Sequence, residues 1–188
     1  MRRLLLIKHS APEIVPSQPA RLWTLSATGR ARCSALARHL GAYAPATIVA
    51  STEPKAAETA QLISEALRKS WYSVEGLHEH DRSNVPFLSS AEFEATMARF
   101  FAEPDRLVFG RETADAARDR FSRAIMEVLQ RHPQDDLAVV AHGTVITLFV
   151  AQTNSIDPFK FWQRLGLPSY VVLLLPDLSI IRVTEQIE

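Results

Sequence analysis

Two apolar runs, each ending in a histidine, constrain this chain more than any other feature. Leu4-Leu5-Leu6-Ile7 leads at once into Lys8-His9-Ser10, and Leu137-Ala138-Val139-Val140-Ala141 into His142-Gly143-Thr144. Four or five consecutive apolar residues with no polar alternation have the length and composition of strands covered on both faces of a sheet. In open α/β sheets ligands bind just beyond the carboxyl ends of the strands, so both histidines stand where chemistry is usually done.

The remaining chain alternates strand and helix patterns. Pro12, Pro16 and Pro19 place a loop after Ser10. Ser26 is positioned to cap a helix that Gly41 stops, with Ala31, Ala35, Leu36 and Leu40 as its core stripe and Arg30, Arg32 and Arg38 outside. Residues 47–50 read as a short strand. Pro54 then suits the first position of a helix running to residue 68, with Lys55 in its first turn, where a cation opposes the helix dipole. A third strand is expected at 71–75. Helices are expected at 91–101 and 113–131, the second burying Ala117, Phe121, Ile125, Val128 and Leu129. After the His142 strand come helices at 145–153 and 158–165 and strands at 170–175 and 180–184. This order predicts a three-layer α/β/α fold, a mostly parallel sheet with helices on both faces. One domain should span residues 1–188, with 77–112 as an insertion or lid.

Charge and cysteine content act by exclusion. The 21 basic residues are balanced by 21 acidic ones, which gives no sign of a nucleic-acid or membrane partner. Only four aliphatics follow Met1-Arg2-Arg3 before Lys8, and no later run is long enough to span a bilayer, so a cytoplasmic protein is expected. The single cysteine, Cys33, excludes an internal disulfide, suits a reducing compartment and reads as packing. Nothing in the sequence sets an oligomeric state.

Suppose the strand ends bearing His9, Lys55 and His142 lie side by side. The cavity between them then holds two imidazoles, the ammonium groups of Lys8 and Lys55, and inward-pointing helix N-termini. Such a cavity suits a tetrahedral anion, above all a phosphoryl group, and free phosphate or sulfate would occupy it. A neutral imidazole can attack phosphorus in line, giving a phosphohistidine that water hydrolyses, while preplaced cations hold the equatorial oxygens. Glu79 is the candidate donor of the proton that the leaving alkoxide needs, with Asp81 as fallback. His78 and His80 flank Glu79, but on a strand they would face opposite sides, and no third ligand stands at suitable spacing, so no metal site is expected. His39 and His132 read as surface groups. The arginines of 111–123 read as a solvated helix face, with Arg118 and Arg120 the two that could line a pocket. Trp23, Phe87, Phe93, Phe100 and Phe101 fit either an apolar wall or core packing.

These motifs occur in an order that resembles the histidine phosphatase superfamily, the phosphoglycerate mutase-like fold, over nearly the whole chain. Lys8-His9-Ser10 stands where that family has Arg-His-Gly, and Leu25-Ser26-Ala27-Thr28-Gly29 is similar to its Leu-Ser/Thr-x-x-Gly helix start. The stretch from Ser51 to Ala60 is similar to its Ser-Ser-x-x-x-Arg-Ala-x-x-Thr-Ala motif, with Lys55 at a phosphate-binding arginine. Leu77-His78-Glu79 matches its Leu-x-Glu, and Ala141-His142-Gly143 its second histidine. The resemblance implies a phosphomonoesterase acting on a small phosphorylated metabolite through a phosphohistidine at His9, without metal or cofactor. His142, Lys8, Lys55, Ser10 and Gly143 would hold the phosphoryl group, and Glu79 would protonate the leaving oxygen. The alternatives are a mutase-type phosphoryl transferase and a catalytically weak module that binds a phosphate ligand or phosphoprotein. Three departures stand out. Lysines replace both expected arginines, keeping the charge but losing the rigid fork. Ser10 replaces a small glycine. The polar residue usual in the first loop falls to Ser17 or Gln18.

Overall fold

The computed structural model describes residues 2–188. In chain order the elements are β1 (Arg3–Lys8), α1 (Ala27–Gly41), β2 (Thr47–Ser51), α2 (Pro54–Leu67), β3 (Trp71–Val74), α3 (Ser90–Ala102), α4 (Ala114–Arg131), β4 (Leu137–Ala141), α5 (Gly143–Thr153), α6 (Pro158–Arg164), β5 (Ser169–Leu174) and β6 (Ser179–Thr184), with one 3₁₀ turn at Ala20–Leu22.

Each aliphatic strand serves two cores at once, because successive side chains leave a strand on opposite faces. Leu4 and Leu6 of β1 join Val139 of β4 and the apolar faces of α4 and α5 on one side of the sheet. Leu5 and Ile7 join Val140 and the buried residues of α1 and α2 on the other. The strand order is β3-β2-β4-β1-β5-β6. Four strands are parallel, and the sheet is completed by β5, antiparallel to β1, and β6, antiparallel to β5. The sheet is therefore mixed: a β5–β6 hairpin needs only a tight turn, whereas a parallel pair would need another crossover helix.

β1 and β4 are parallel neighbours in register Lys8↔Ala141, so the next residues along, His9 and His142, emerge side by side. The tips of all four parallel strands form one edge of the domain. α3 packs on α6, and its Met97, Phe100 and Phe101 join the core on the α4–α5 side of the sheet.

Helix boundaries follow local chemistry. Ser26, Ser89, Thr113 and Asp157 cap α1, α3, α4 and α6 through their side chains, and Ser89 with Glu92 forms a reciprocal capping box. Pro54 opens α2. Two expectations need correction. Ala31 is exposed, and Cys33 and Ala37 take its place in the α1 core, because a stripe made largely of alanines does not fix the helix phase. Gly41 is the last helical residue rather than the stop; the left-handed residue is Ala44, at φ 48°. Among the described residues, no helix is long and apolar enough to cross a membrane.

Candidate active site

The tip of β1 is held by α1. Ser10 donates its hydroxyl to the Gly29 carbonyl at 2.7 Å, while its N–H donates to Thr59 Oγ1 at 3.0 Å. The Ala11 carbonyl accepts from both Ser26 N–H and Ser26 Oγ. A Cβ on Gly29 would fall 2.0 Å from the Ala11 oxygen, so only glycine lets the strand end approach the helix this closely. Ser10 is thus fully buried with both its donors engaged by protein, and its expected place among the phosphate ligands is corrected to a structural one.

His9 and His142 meet edge to face with ring centroids 5.1 Å apart. His9 Nδ1 lies 2.7 Å from the Ser10 carbonyl, which can only accept, so Nδ1 carries the proton and Nε2 keeps its lone pair. Burial, then the positive groups around it, among them Lys55 and Lys8, hold the His9 imidazole well below its usual range; it is neutral at pH 7. His142 Nε2 lies 2.9 Å from Ser51 Oγ. That hydroxyl also accepts from Glu53 N–H. His142 Nδ1 is buried and without a partner. Burial and the Lys55 charge also keep this ring neutral.

The two lysines are differently placed. Lys8 Nζ reaches the Leu165 carbonyl at 2.5 Å, and its stem runs over Gly143, where a Cβ would sit 3.0 Å from Lys8 Cε. Gly143, placed at the phosphate by the sequence, is the gap through which Lys8 passes. Burial brings Lys8 down to about 8, with Glu79 opposing and Arg82 assisting that fall. Lys55 donates to the Ala20 carbonyl at 2.8 Å and forms a buried ion pair with Glu53. It lines the cleft with its charge already paired.

Glu79 sits across the first turn of α5. Its carboxylate accepts from Thr144 N–H at 3.2 Å and His80 N–H at 2.9 Å, and its own N–H donates to Glu53 Oε1 at 2.8 Å. Burial alone would raise the Glu79 carboxyl, but Arg82, His142 and the His80 N–H hold it below the usual carboxylate range.

The loop carrying Glu79 is clamped from α4. Arg120 donates to the carbonyls of Gly76, His78 and Glu79 and pairs with Glu112, whose carboxylate also accepts from Asp81 N–H. Arg118 is a surface residue paired with Asp115 and Asp119, and Arg120 secures the loop instead of lining a pocket. Residues 77–81 are not a strand. His80 is buried between Phe100 and Phe109 and His78 is half-buried, so the argument from strand alternation does not apply. His39 is exposed as expected, while His132 is half-buried against Tyr72.

A cleft of about 1200 Å³ opens between the loop 14–23 and the segment 78–93. Lys55, Glu53, Glu79 and Arg82 line it, together with Ser17, Gln18, Trp23, Phe87 and Phe93. Phe100 and Phe101 belong to the core. Sequence reading missed two charged residues here. Glu53 looked like an ordinary residue ahead of a helix-opening proline. Arg82 lay in the densest ionisable run of the chain, and that was the available signal.

The family model of the histidine phosphatase superfamily (branch 1) matches residues 17–176. The chain belongs to that superfamily. One curated relative, the uncharacterized phosphatase PhoE of Bacillus subtilis (strain 168), is 25% identical over 134 residues, 71% of this chain and 66% of the relative. The chain thus spans just under two thirds of that relative's length. Among solved structures, Entamoeba histolytica phosphoserine phosphatase in complex with 3-phosphoglyceric acid has a TM-score of 0.80 at 16% identity, covering 98% of this chain and 97% of its own. The mycobacterial glucosyl-3-phosphoglycerate phosphatase complexed with inorganic phosphate has a TM-score of 0.75 at 23% identity, covering 100% and 96%. At these identities the structural neighbours establish the histidine phosphatase fold.

Proposed function

We propose that the protein is a phosphomonoesterase acting on a small phosphorylated metabolite through a phosphohistidine at His9. The observation that carries this reading is the imidazole pair. His9 is buried and neutral, its Nδ1–H is fixed by a backbone carbonyl, and its Nε2 lone pair is left available beside a second histidine whose Nδ1 has no partner. That arrangement suits in-line attack by Nε2 on phosphorus and, in the tautomer whose Nε2 accepts from Ser51 Oγ, donation from His142 Nδ1 to a phosphoryl oxygen.

Lys8 and Lys55 supply charge to the other phosphoryl oxygens. As point charges they give less orientation than a guanidinium fork. Glu79 gives a proton to the leaving alkoxide in the first half-reaction and takes one from water in the second. An arriving phosphoryl dianion offsets the cations that hold its carboxyl down, and so raises its proton affinity at the moment an acid is needed. The Gly29 contact and the Arg120 clamp keep nucleophile and acid in place. The phosphatase names of the curated relative and of the structural neighbours support the same class, and the single buried cysteine fits a cytoplasmic setting.

A panel of phosphate monoesters assayed in the presence of a chelator tests the reading. Turnover of at least one ester without added metal is expected. A protein that hydrolyses none of them and binds neither phosphate nor vanadate overturns it.

A further inference from the structure

Three of the cations around the site are engaged by the protein. Lys8 is hydrogen-bonded to the Leu165 carbonyl, Lys55 to the Ala20 carbonyl and Glu53, and Arg120 to the loop it clamps. Arg82 differs from these. It lines the same cleft as Glu79 and Lys55, and its Nη1 is buried with no hydrogen-bond partner among the described residues. The neighbouring carboxylates do not fill that place: Glu79 accepts from backbone N–H groups, and Asp81 accepts from Ser83.

The guanidinium is nevertheless well fixed. Its Cζ lies 4.8 Å from the centroid of the Phe93 ring, and the chain on its N-terminal side is tied to Arg120 and Glu112. Stacking on an aromatic face leaves a guanidinium's in-plane N–H groups free to point elsewhere. A buried donor without an acceptor is costly, and a planar pair of N–H donors matches two oxygens of a phosphoryl group. The charge of Arg82 also bears on Lys8, Glu79 and His142 together, the groups around the space beyond His9.

We propose that Arg82 is a ligand of the phosphoryl group, supplying from the loop after Glu79 the planar guanidinium that the lysines at 8 and 55 lack. This rests on the reading of the site as a phosphohydrolase centre. The family pattern carried by residues 8 and 55 does not foretell it. It also explains how a site with lysine at both positions can still orient an anion.

The test uses the full chain with orthovanadate as the binding probe and a phosphate ester for kinetics. In the wild-type protein vanadate should bind and inhibit. Arg82→Met keeps an apolar contact with Phe93 but should lose about tenfold or more in vanadate affinity, the scale of one hydrogen bond to a charged group. Its kcat/KM should fall by more than KM rises. Arg82→Lys, which keeps the charge and guards against a folding defect, should recover only part of that loss. Free guanidinium at millimolar concentration should rescue Arg82→Ala, an effect a merely structural arginine would not show. Vanadate affinity and kinetics unchanged in Arg82→Met, or fully restored by Arg82→Lys, would overturn the proposal while leaving the phosphatase reading intact. A wild-type protein that neither binds vanadate nor turns over any ester would overturn both.

Discussion

Lys55 and Glu53, two residues apart at the start of α2, form a buried ion pair beside the two histidines, with Glu53 Oε1 3.8 Å from His142 Nε2. A carboxylate in that position offsets part of the positive potential that an incoming phosphoryl group meets. It also draws on one of the lysine's three donors.

Opposite outcomes are therefore expected from changing the two partners. Glu53→Gln keeps an acceptor for Glu79 N–H but removes the charge, and should tighten phosphate binding. Lys55→Ala removes a cation and strands Glu53, and should weaken binding by roughly 1.5–3 kcal/mol. The double variant should lie closer to wild type than the sum of the single effects. Calorimetric titration with inorganic phosphate measures all three, and weaker binding in Glu53→Gln would refute the account of the pair.

Lys8 gives the site an alkaline limit. Its ammonium is held at about 8, so phosphate affinity should be level below that pH and decline above it as the charge is lost. Lys8→Arg, charged throughout the range, should remove the decline whatever it does to absolute affinity. A wild-type affinity that is flat from pH 7 to 9.5 would show that Lys8 does not face the anion.

Protein stability should respond at the acid side. His9 and His142 are held well below 6.5, and His78 and His80 are also lowered, in each case chiefly by burial. Below pH 6.5 the unfolded chain therefore takes up protons that the native state does not, so stability falls as pH falls. Thermal melts from pH 7.5 to 5.5 should show a falling Tm, with a shallower slope in His142→Gln. A slope that is unchanged in that variant would mean that His142 titrates normally in the fold.

Glu79 should matter in proportion to the leaving group. An alkyl phosphate expels a basic alkoxide, and general-acid help there is worth about 10²–10⁴ in rate. A nitrophenyl phosphate expels a stable phenolate. Glu79→Gln should thus cripple alkyl ester hydrolysis while largely sparing the pre-steady-state burst on the nitrophenyl ester. Equal loss on both would make Glu79 a positioning group, with Asp81→Asn the next variant to examine.

Much of this arrangement could be read from the chain because the aliphatic strands carry their meaning locally. A run such as Leu4–Ile7 has few places to go except between two layers, and a histidine directly after it must emerge at the sheet edge. That β1 and β4 are neighbours is a matter of strand order, which no local pattern states; the family resemblance supplied it. What escaped the reading is set by distant contacts. The orientation of Arg82 depends on Phe93 in α3 and on a clamp from α4, and the pairing of Lys55 depends on the backbone path through Glu53 and Pro54. Ser10 reads as a phosphate ligand until α1 is folded over it, with Gly29 allowing the approach.

The central claim, covalent catalysis by His9, is tested most directly by trapping the intermediate. The protein is mixed with a nitrophenyl phosphate, quenched within milliseconds in alkali, where phosphohistidine survives, digested, and mapped by mass spectrometry. The account predicts one phosphorylated peptide carrying the modification on His9, absent in His9→Ala and longer-lived in Glu79→Gln. Rapid turnover with no phosphorylated peptide, or with phosphate on any residue other than His9, would contradict it.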